Sequence, residues 1–104
     1  METTGRFAPS PSGRLHLGNL LCALLVWLSA RQKGGCVLLR VEDLDTARCP
    51  RRYAEQMGAD LRWLGLDWDI GPGKEAGTGP YYQSERTAIY QAALEKLQGM
   101  GLVY

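Results

Sequence analysis

Residues 5–19, GRFAPSPSGRLHLGN, decide the fold of this sequence together with residues 37–43, VLLRVED. The first stretch opens with a short run that predicts a brief strand at positions 5–8, followed by a stiff loop that holds Pro9, Pro11 and Gly13. The second stretch opens as a continuous apolar run and ends in charge. That pattern is typical of an interior parallel strand whose carboxyl end faces a site.

The residues between these two strands predict a helix. Positions 17–33 are apolar on nearly every face, as expected for a helix buried between other elements, and Gly34 and Gly35 end it. Strand, helix and strand make one βαβ unit, so we expect an α/β fold with a parallel sheet.

Two further helices are predicted downstream. Pro50 suits a first helical position, and helical spacing continues through Tyr53, Met57, Leu61 and Leu64 until Gly65. Ser84 is expected to cap a last helix that Gly99 and Gly101 close. The expected inner side of that helix carries Ile89, Tyr90, Ala93, Leu94 and Leu97.

Positions 71–80 are rich in glycine and predict a flexible surface loop. Gly73 and Lys74 do not make a phosphate-binding P-loop, because Glu75 stands where that motif needs Ser or Thr. The apolar tripeptide at positions 102–104 looks like the beginning of another strand, so we expect the sequence to be a piece of a longer protein.

Composition limits the class of protein. The 104 residues suit one domain, and the net charge of +1 gives no basic excess, so any RNA contact must depend on other parts. The cysteines, Cys22, Cys36 and Cys49, form no CxxC pair, which favours a reducing cytoplasm, and with one histidine no metal site is expected. The longest apolar stretch, 20–28, is too short to span a membrane.

His16 stands at the junction between the stiff loop and the first predicted helix. A helix N-terminus presents unpaired N–H groups and the positive end of the helix dipole, which together favour phosphate. His16 would add a donor to that cradle, and Gly18 would allow a nucleotide to approach the backbone closely. The alternative is that His16 only caps or packs the helix.

Several segments in the right order resemble one family, the glutamate branch of the class I aminoacyl-tRNA synthetases. Residues 16–19, HLGN, resemble the HIGH tetrapeptide of the class I ATP site. The resemblance to the glutamate branch also covers RFAPSPSG at 6–13, LLRVEDLD at 38–45, LRWLGLDWD at 61–69 and GPYYQSER at 79–86. It implies a Rossmann-type fold, with residues 1–104 as the N-terminal half of the catalytic domain.

The resemblance also implies a reaction and a site. ATP with Mg²⁺ would activate glutamate to glutamyl-adenylate, with His16 and Gly18 in catalytic roles. The residues implied for ATP binding are Pro9, His16, Gly18 and Asn19. Those implied for glutamate are Arg6, Ala8 and Ser10 in the pocket, and Glu42 at the α-ammonium group.

Elementary chemistry agrees with the glutamate residues, because a guanidinium pairs a carboxylate bidentately and a carboxylate suits an ammonium. The alternative is that Arg6 and Glu42 pair with each other or face solvent. Strand alternation places Arg40 with Glu42 and sets Asp43 on the other side, and for both Arg40 and Asp43 an ion pair and a ligand contact stay open. The large aromatic side chains are expected to pack or to anchor loops rather than to stack on bases: Trp27, Trp63, Trp68, Tyr81 and Tyr82.

Two branches share these motifs. Glutamyl-tRNA synthetase charges the acceptor end and generally needs its tRNA to activate glutamate, whereas glutamyl-Q tRNA(Asp) synthetase attaches glutamate to queuosine in the anticodon loop. The first usually has PSPTG and an arginine soon after its signature; Ser12 and the run LLCA at 20–23 favour the second. The expected tRNA partner is therefore tRNA(Asp), with tRNA(Glu) as the alternative.

The resemblance further implies parts that these residues do not contain: the second ATP motif, zinc-binding cysteines beyond Tyr104, and a tRNA-binding domain. Zn²⁺ would therefore bind only through residues beyond this chain, and the chain alone is expected to be inactive. A hypothesis from another class is a non-catalytic paralogue that binds a nucleotide or an amino acid. An NAD-binding domain is disfavoured because the GxGxxG turn is absent.

Overall fold

The computed structural model describes residues 2–104, which form two strands and three α-helices. Strand β1 spans Thr4–Phe7, helix α1 Leu17–Arg31 and strand β2 Cys36–Leu39. Helix α2 spans Arg51–Trp63, a 3₁₀ turn follows at Gln83–Glu85, and helix α3 spans Thr87–Gly99.

The predicted βαβ unit is confirmed. Strands β1 and β2 pair in parallel, from Thr4 opposite Cys36 to Phe7 opposite Leu39. On its other side the β2 segment makes parallel bridges from Leu38 to Ile70 and from Val41 to Tyr82. The second strand is therefore interior, which explains why its sequence is apolar without alternation.

The core lies where β2 meets the first two helices. Its buried side chains come from β2 and the residue that follows it, from α1, from α2 and from Trp68: Val37, Leu39, Val41, Ala23, Ala30, Ala54, Met57, Leu61 and Trp68. Gly5 allows α1 to approach β1, because a Cβ there would stand 3.1 Å from both the Ala30 Cβ and the Val26 Cγ1 atoms. Alanine at position 5 would require helix and strand to move apart by a few tenths of an ångström.

The prediction that the first helix is buried on every side is wrong for the residues described. Leu17, Leu21 and Leu25 are 84%, 56% and 57% exposed, and only Ala23 and Ala30 of α1 are buried. The physical reason is that α1 packs one face, which includes the partly buried Leu20, against the core, and no described element covers its other leucines. The helix also ends at Arg31, two residues earlier than predicted.

The predictions for α2 and α3 need correction at their starts. Pro50 is the N-cap of α2 rather than its first helical residue. Arg86, not Ser84, precedes α3, because the backbone N–H and hydroxyl of Ser84 donate to Asp43 instead. The predicted inner side of α3 is uncovered among the described residues, with no buried residue in this helix. Residues 102–104 form no strand within the part of the chain that is described.

The glycine-rich segment is exposed at 73–78, as predicted for a surface loop, yet hydrogen bonds close it. Gly71 and Lys74 exchange backbone hydrogen bonds, and the Lys74 ammonium donates to the Trp68 carbonyl oxygen at 2.7 Å. The Tyr81 hydroxyl, itself buried, lies 2.8 Å from the hydroxyl of Thr78 and 3.1 Å from both the N–H and the carbonyl oxygen of Ala76.

Packing is the role of Trp68 and Tyr81, as expected, because they are 3% and 2% exposed. Trp27 donates its indole N–H to Asp67, and the Arg51 guanidinium lies 3.4 Å from the centre of the Tyr82 ring. Trp63 departs from the expectation, since it is 86% exposed.

Candidate active site

His16 caps helix α1 with its own ring. The Nδ1 atom accepts hydrogen bonds from the backbone N–H groups of Gly18, at 3.1 Å, and Asn19, at 3.4 Å. The Asn19 side-chain oxygen accepts from the His16 backbone N–H at 3.3 Å, which completes a capping box. An accepting Nδ1 places the proton of the neutral imidazole on Nε2, so the exposed ring has a donor available beyond the helix.

This arrangement changes the predicted phosphate cradle. The sequence suggests that the N–H groups at the start of the helix are free to bind phosphate. In the structure, the N–H groups of Gly18 and Asn19 are instead hydrogen-bonded to the imidazole. The capping alternative is therefore correct for Nδ1, while the opposite nitrogen can still serve as a donor. Gly18 allows this close approach, because a Cβ there would lie 3.0 Å from His16 Cε1 and 3.1 Å from Nδ1 and would push the ring by a few tenths of an ångström.

Arg6 and Glu42 meet at the carboxyl ends of the two strands. The Arg6 Nη2 atom lies 3.1 Å from Glu42 Oε1, and the two side chains are 56% and 34% exposed. The pairing of these residues with each other, the structural alternative, is thus what the structure contains. A pair this open to solvent is weak, so a ligand that carries both charges could replace it.

Glu42 and Ser10 line one groove of about 290 Å³. The rest of its wall comes from the loop after β1, the segment before α2, and the 3₁₀ turn: Ser12, Leu44, Asp45, Arg48, Cys49 and Gln83. Arg6 reaches this groove through its pair with Glu42. The carbonyl of Pro9 accepts the Glu42 backbone N–H at 2.9 Å, which holds the predicted ATP loop against the predicted glutamate residue.

The structure therefore brings together Arg6, Ser10 and Glu42, with Pro9 behind them, and separately His16, Gly18 and Asn19 at the start of α1. Ala8 lies half-buried between the strand and the loop, without a side-chain group that could mark it. The loop at residues 8–16 runs from the carboxyl end of β1 to the start of α1 and so connects the two groups.

Asp43 and Gln83 are functional candidates that sequence reasoning missed or left open. Asp43 makes no ion pair within residues 2–104; it is 3% exposed and its carboxylate accepts from the Ser84 N–H and hydroxyl, each at 2.9 Å. Gln83 lines the groove. A signal was present in the sequence, because Gln83 and Ser84 belong to the segment at 79–86 that resembles the family, although only Ser84 was given a role there, as a helix cap.

Arg40 and Arg86 converge on one loop carbonyl. Their guanidinium groups donate to the Thr78 oxygen at 3.4 and 3.3 Å, and Arg86 also donates to Pro80. Arg40 therefore fastens the loop at 76–80 rather than pairing with an acid among the described residues.

Two carboxylates outside the groove have their pKa values lowered by hydrogen-bond partners. The backbone N–H of Val37 and the Arg31 guanidinium, each 2.7 Å from Asp69 Oδ2, hold the pKa of Asp69 below its ordinary value, although partial burial opposes this. Arg14 and Gln56 lower the pKa of Asp60 in the same way, with Arg14 Nη2 2.7 Å from Oδ1. The Arg14–Asp60 pair ties the loop that carries His16 to helix α2.

Within residues 2–104 no group of three side chains is arranged to hold a metal ion. None of the helices described is both long and apolar enough to cross a membrane.

The parallel βαβ unit, with a histidine-capped helix start and a charged groove at the carboxyl ends of its strands, defines a Rossmann-type α/β domain. Residues 2–104 match the family model described as tRNA synthetases class I (E and Q), catalytic domain. The chain belongs to this family, and the family expected from the sequence is confirmed.

Relatives from both branches are similar to this chain. It is 59% identical over 100 residues to the glutamyl-Q tRNA(Asp) synthetase of Symbiobacterium thermophilum, with 96% of this chain and 31% of the relative covered. It is 49% identical over 104 residues to glutamate–tRNA ligase 2 of Acidithiobacillus ferrooxidans, with 100% of this chain and 22% of the relative covered.

A solved structure agrees with the fold. The crystal structure of a glutamate tRNA ligase from Elizabethkingia meningosepticum, in complex with its amino acid, superposes with a TM-score of 0.86 at 39% identity. The match covers 95% of this chain and 20% of the other. The chain thus spans about a third or less of the length of the relatives it matches.

Proposed function

We propose that residues 1–104 form the N-terminal half of the catalytic domain of an enzyme that activates glutamate with ATP and transfers it to tRNA. The observation that carries this proposal is the solvent-open Arg6–Glu42 pair beside the groove that Ser10 and Glu42 line. A cation and an anion held side by side complement a ligand that itself carries both charges. Glutamate is such a ligand, and its activation fits the family to which the chain belongs.

In this proposal glutamate replaces the contact between the two side chains. Arg6 exchanges the Glu42 carboxylate for a substrate carboxylate, and Glu42 turns to the α-ammonium group. The exchange is cheap because a pair that is 56% and 34% exposed contributes little to stability. Ala8 and Ser10 complete the pocket through the loop that leaves β1.

ATP binds on the side of His16, where Pro9, Gly18 and Asn19 shape the approach. A glutamate carboxylate oxygen attacks the α-phosphorus, the bond from that phosphorus to the bridging oxygen breaks, and glutamyl-adenylate and pyrophosphate form. His16 Nε2–H donates to phosphate oxygens as charge builds on them. Its Nδ1 already accepts hydrogen bonds from two helix N–H groups, so the positive end of the α1 dipole polarises the ring and strengthens Nε2–H as a donor. Mg²⁺ bound to the phosphates of ATP would supply further positive charge there.

The acceptor we propose is queuosine of tRNA(Asp), with the reaction in the cytoplasm. The support is the 59% identity to a glutamyl-Q tRNA(Asp) synthetase, together with Ser12 and the run LLCA after the signature. The alternative acceptor is tRNA(Glu), which is favoured by the 49% identity to a glutamate–tRNA ligase.

The experiment is transfer of labelled glutamate by the full-length protein to three RNAs: tRNA(Asp) with queuosine, the same tRNA without queuosine, and tRNA(Glu). Label on the first alone is the expected result. Label on tRNA(Glu) alone would replace this acceptor with the alternative. A full-length protein that binds glutamate or ATP and labels none of the three would favour the non-catalytic paralogue.

A further inference from the structure

Asp43 is the only charged residue that is buried among residues 2–104, at 3% exposure, and it follows Glu42 directly in the chain. Burial of a carboxylate is costly unless hydrogen bonds satisfy it. Here both oxygens accept from one residue, since Oδ1 lies 2.9 Å from the Ser84 nitrogen and Oδ2 lies 2.9 Å from the Ser84 hydroxyl. No Arg, Lys or His among the described residues makes an ion pair with it.

The backbone around Glu42 is held on both sides. The Glu42 N–H donates to the Pro9 carbonyl at 2.9 Å, on the side of the loop after β1. On the other side, the Val41 N–H donates to the Tyr81 carbonyl and the Gln83 N–H donates to the Val41 carbonyl, each at 2.8 Å. Residues 41–43 are therefore fastened between two loops, both of which reach the groove.

Successive side chains in an extended segment point to opposite sides. When Ser84 holds Asp43 inward, the Glu42 carboxylate is turned outward into the groove and toward Arg6. The same contact fixes Gln83, which precedes Ser84 and lines the same groove. One pair of hydrogen bonds thus sets two of the polar groups that face a ligand.

We propose that Asp43 is a positioning residue whose double hydrogen bond to Ser84 fixes Glu42 and Gln83 in the lining of the groove where the substrate ammonium group binds. This inference rests on the proposed function and deepens it. It predicts a defect selective for glutamate, because the histidine-capped helix start shares no hydrogen bond with Asp43 or Ser84.

The test is glutamate-dependent exchange of pyrophosphate into ATP by the full-length protein, with the KM for each substrate measured separately. Ser84→Ala should raise the KM for glutamate about tenfold, the factor for one hydrogen bond to a charged group, and leave the KM for ATP within about twofold. Ser84→Thr keeps the hydroxyl and should restore the wild-type value. Ser29→Ala, at an exposed serine of α1, is the matched control and should match the wild type.

Asp43→Ala is the second variant if Ser84→Ala fails to fold, and the same selective rise is expected because both hydrogen-bond acceptors of Ser84 are removed. An unchanged KM for glutamate, or an equal rise for glutamate and ATP, would overturn the positioning role while the active wild type upholds the proposed function. A wild-type protein with no exchange under any condition would overturn the proposed function itself, and this inference with it.

Discussion

The imidazole of His16 has two nitrogens with different tasks. Nδ1 closes the start of α1, and Nε2 is left as a donor on the exposed side of the ring. The choice between a capping residue and a phosphate donor, which the sequence left open, is therefore not exclusive. The ring orientation depends on Gly18, since any Cβ at that position would stand in contact with it.

Gly18→Ala should displace the His16 ring and lower the rate of adenylate formation more than it lowers stability. Loss of the cap costs about 1 kcal/mol of unfolding free energy. A misplaced transition-state donor costs about 100-fold in rate or more. The matched control is Gly13→Ala in the same loop, where an added Cβ meets nothing within 4 Å. Equal exchange rates for the two variants would contradict the role of Gly18.

Arg6→Ala and Glu42→Ala should each abolish glutamate activation in the full-length protein and leave its circular dichroism unchanged. The fold is expected to tolerate both changes because the pair is open to solvent and adds little stability. Glutamate-dependent pyrophosphate exchange is the measurement. Activity retained in both variants would sink the assignment of the glutamate pocket.

At the scale of elements, the loop at 71–80 is closed by a glycine that other residues cannot replace. Gly71 has φ +151°, and a Cβ there would stand 2.7 Å from the Leu39 carbonyl oxygen. Gly71→Ala should destabilise the protein by at least about 1 kcal/mol. Gly77→Ala, in the same loop with nothing within 4 Å of an added Cβ, should be close to neutral. Denaturant unfolding of both variants compares them, and equal midpoints would show that this close approach is unimportant.

Asp69 connects helix α1 to strand β2 through its hydrogen bonds to Arg31 and Val37, and these bonds should make the unfolding free energy depend on pH. The pKa of Asp69 is lowered in the folded state, so the unfolded state binds the proton more readily, and the stabilisation is present in full only above the ordinary Asp value of about 4. It is lost as the pH falls through the lowered folded pKa. Unfolding free energy measured from pH 7 to pH 3 should fall less steeply in Asp69→Asn than in the wild type.

The control for that series is Glu55→Gln, because Glu55 is exposed and makes no ion pair within residues 2–104. Its pH profile should follow that of the wild type. Parallel profiles for all three proteins would contradict the contribution assigned to Asp69.

The local sequence pattern was enough to predict the βαβ unit, because the apolar run at 37–39 and the Pro/Gly loop can each be recognised from neighbouring residues alone. It was not enough for the start of α3, since the partner of Ser84 is Asp43, 41 residues away. From the sequence alone, a hydroxyl side chain just before a helix is expected to cap it. Only the three-dimensional structure shows that a distant carboxylate binds this hydroxyl instead. The orientation of Arg6 toward Glu42 was weighed from the sequence as an alternative, but choosing it required the register of β1 on β2.

At the scale of the whole molecule, two helix faces remain uncovered among the described residues. These faces of α1 and α3 carry large apolar side chains that are 37–57% exposed: Leu21, Leu24, Leu25, Leu28, Ile89, Tyr90, Leu94 and Leu97. Apolar patches of this kind are uncommon on isolated soluble domains and favour association. Among residues 2–104, the prediction that both helices are buried is wrong for these faces, although the opposite face of α1 does pack against the core.

The 104-residue chain, produced alone, should therefore bind the dye ANS and self-associate as its concentration rises. Leu21→Gln combined with Leu25→Gln on the exposed face of α1 should reduce both effects, since neither side chain is buried. Dye fluorescence and sedimentation velocity are the measurements. A protein that stays monomeric and binds no dye at high concentration would show that these faces do not drive association in water.

The central claim is that glutamate binds in the groove beside Arg6 and Glu42 and is activated there with ATP. Pyrophosphate exchange by the full-length protein, without tRNA and then with it, tests this claim most directly. We predict exchange that depends on glutamate and needs no tRNA, as the glutamyl-Q assignment requires. Exchange only in the presence of tRNA would contradict that assignment and favour the acceptor-charging branch. The absence of exchange under both conditions would contradict the account of the site.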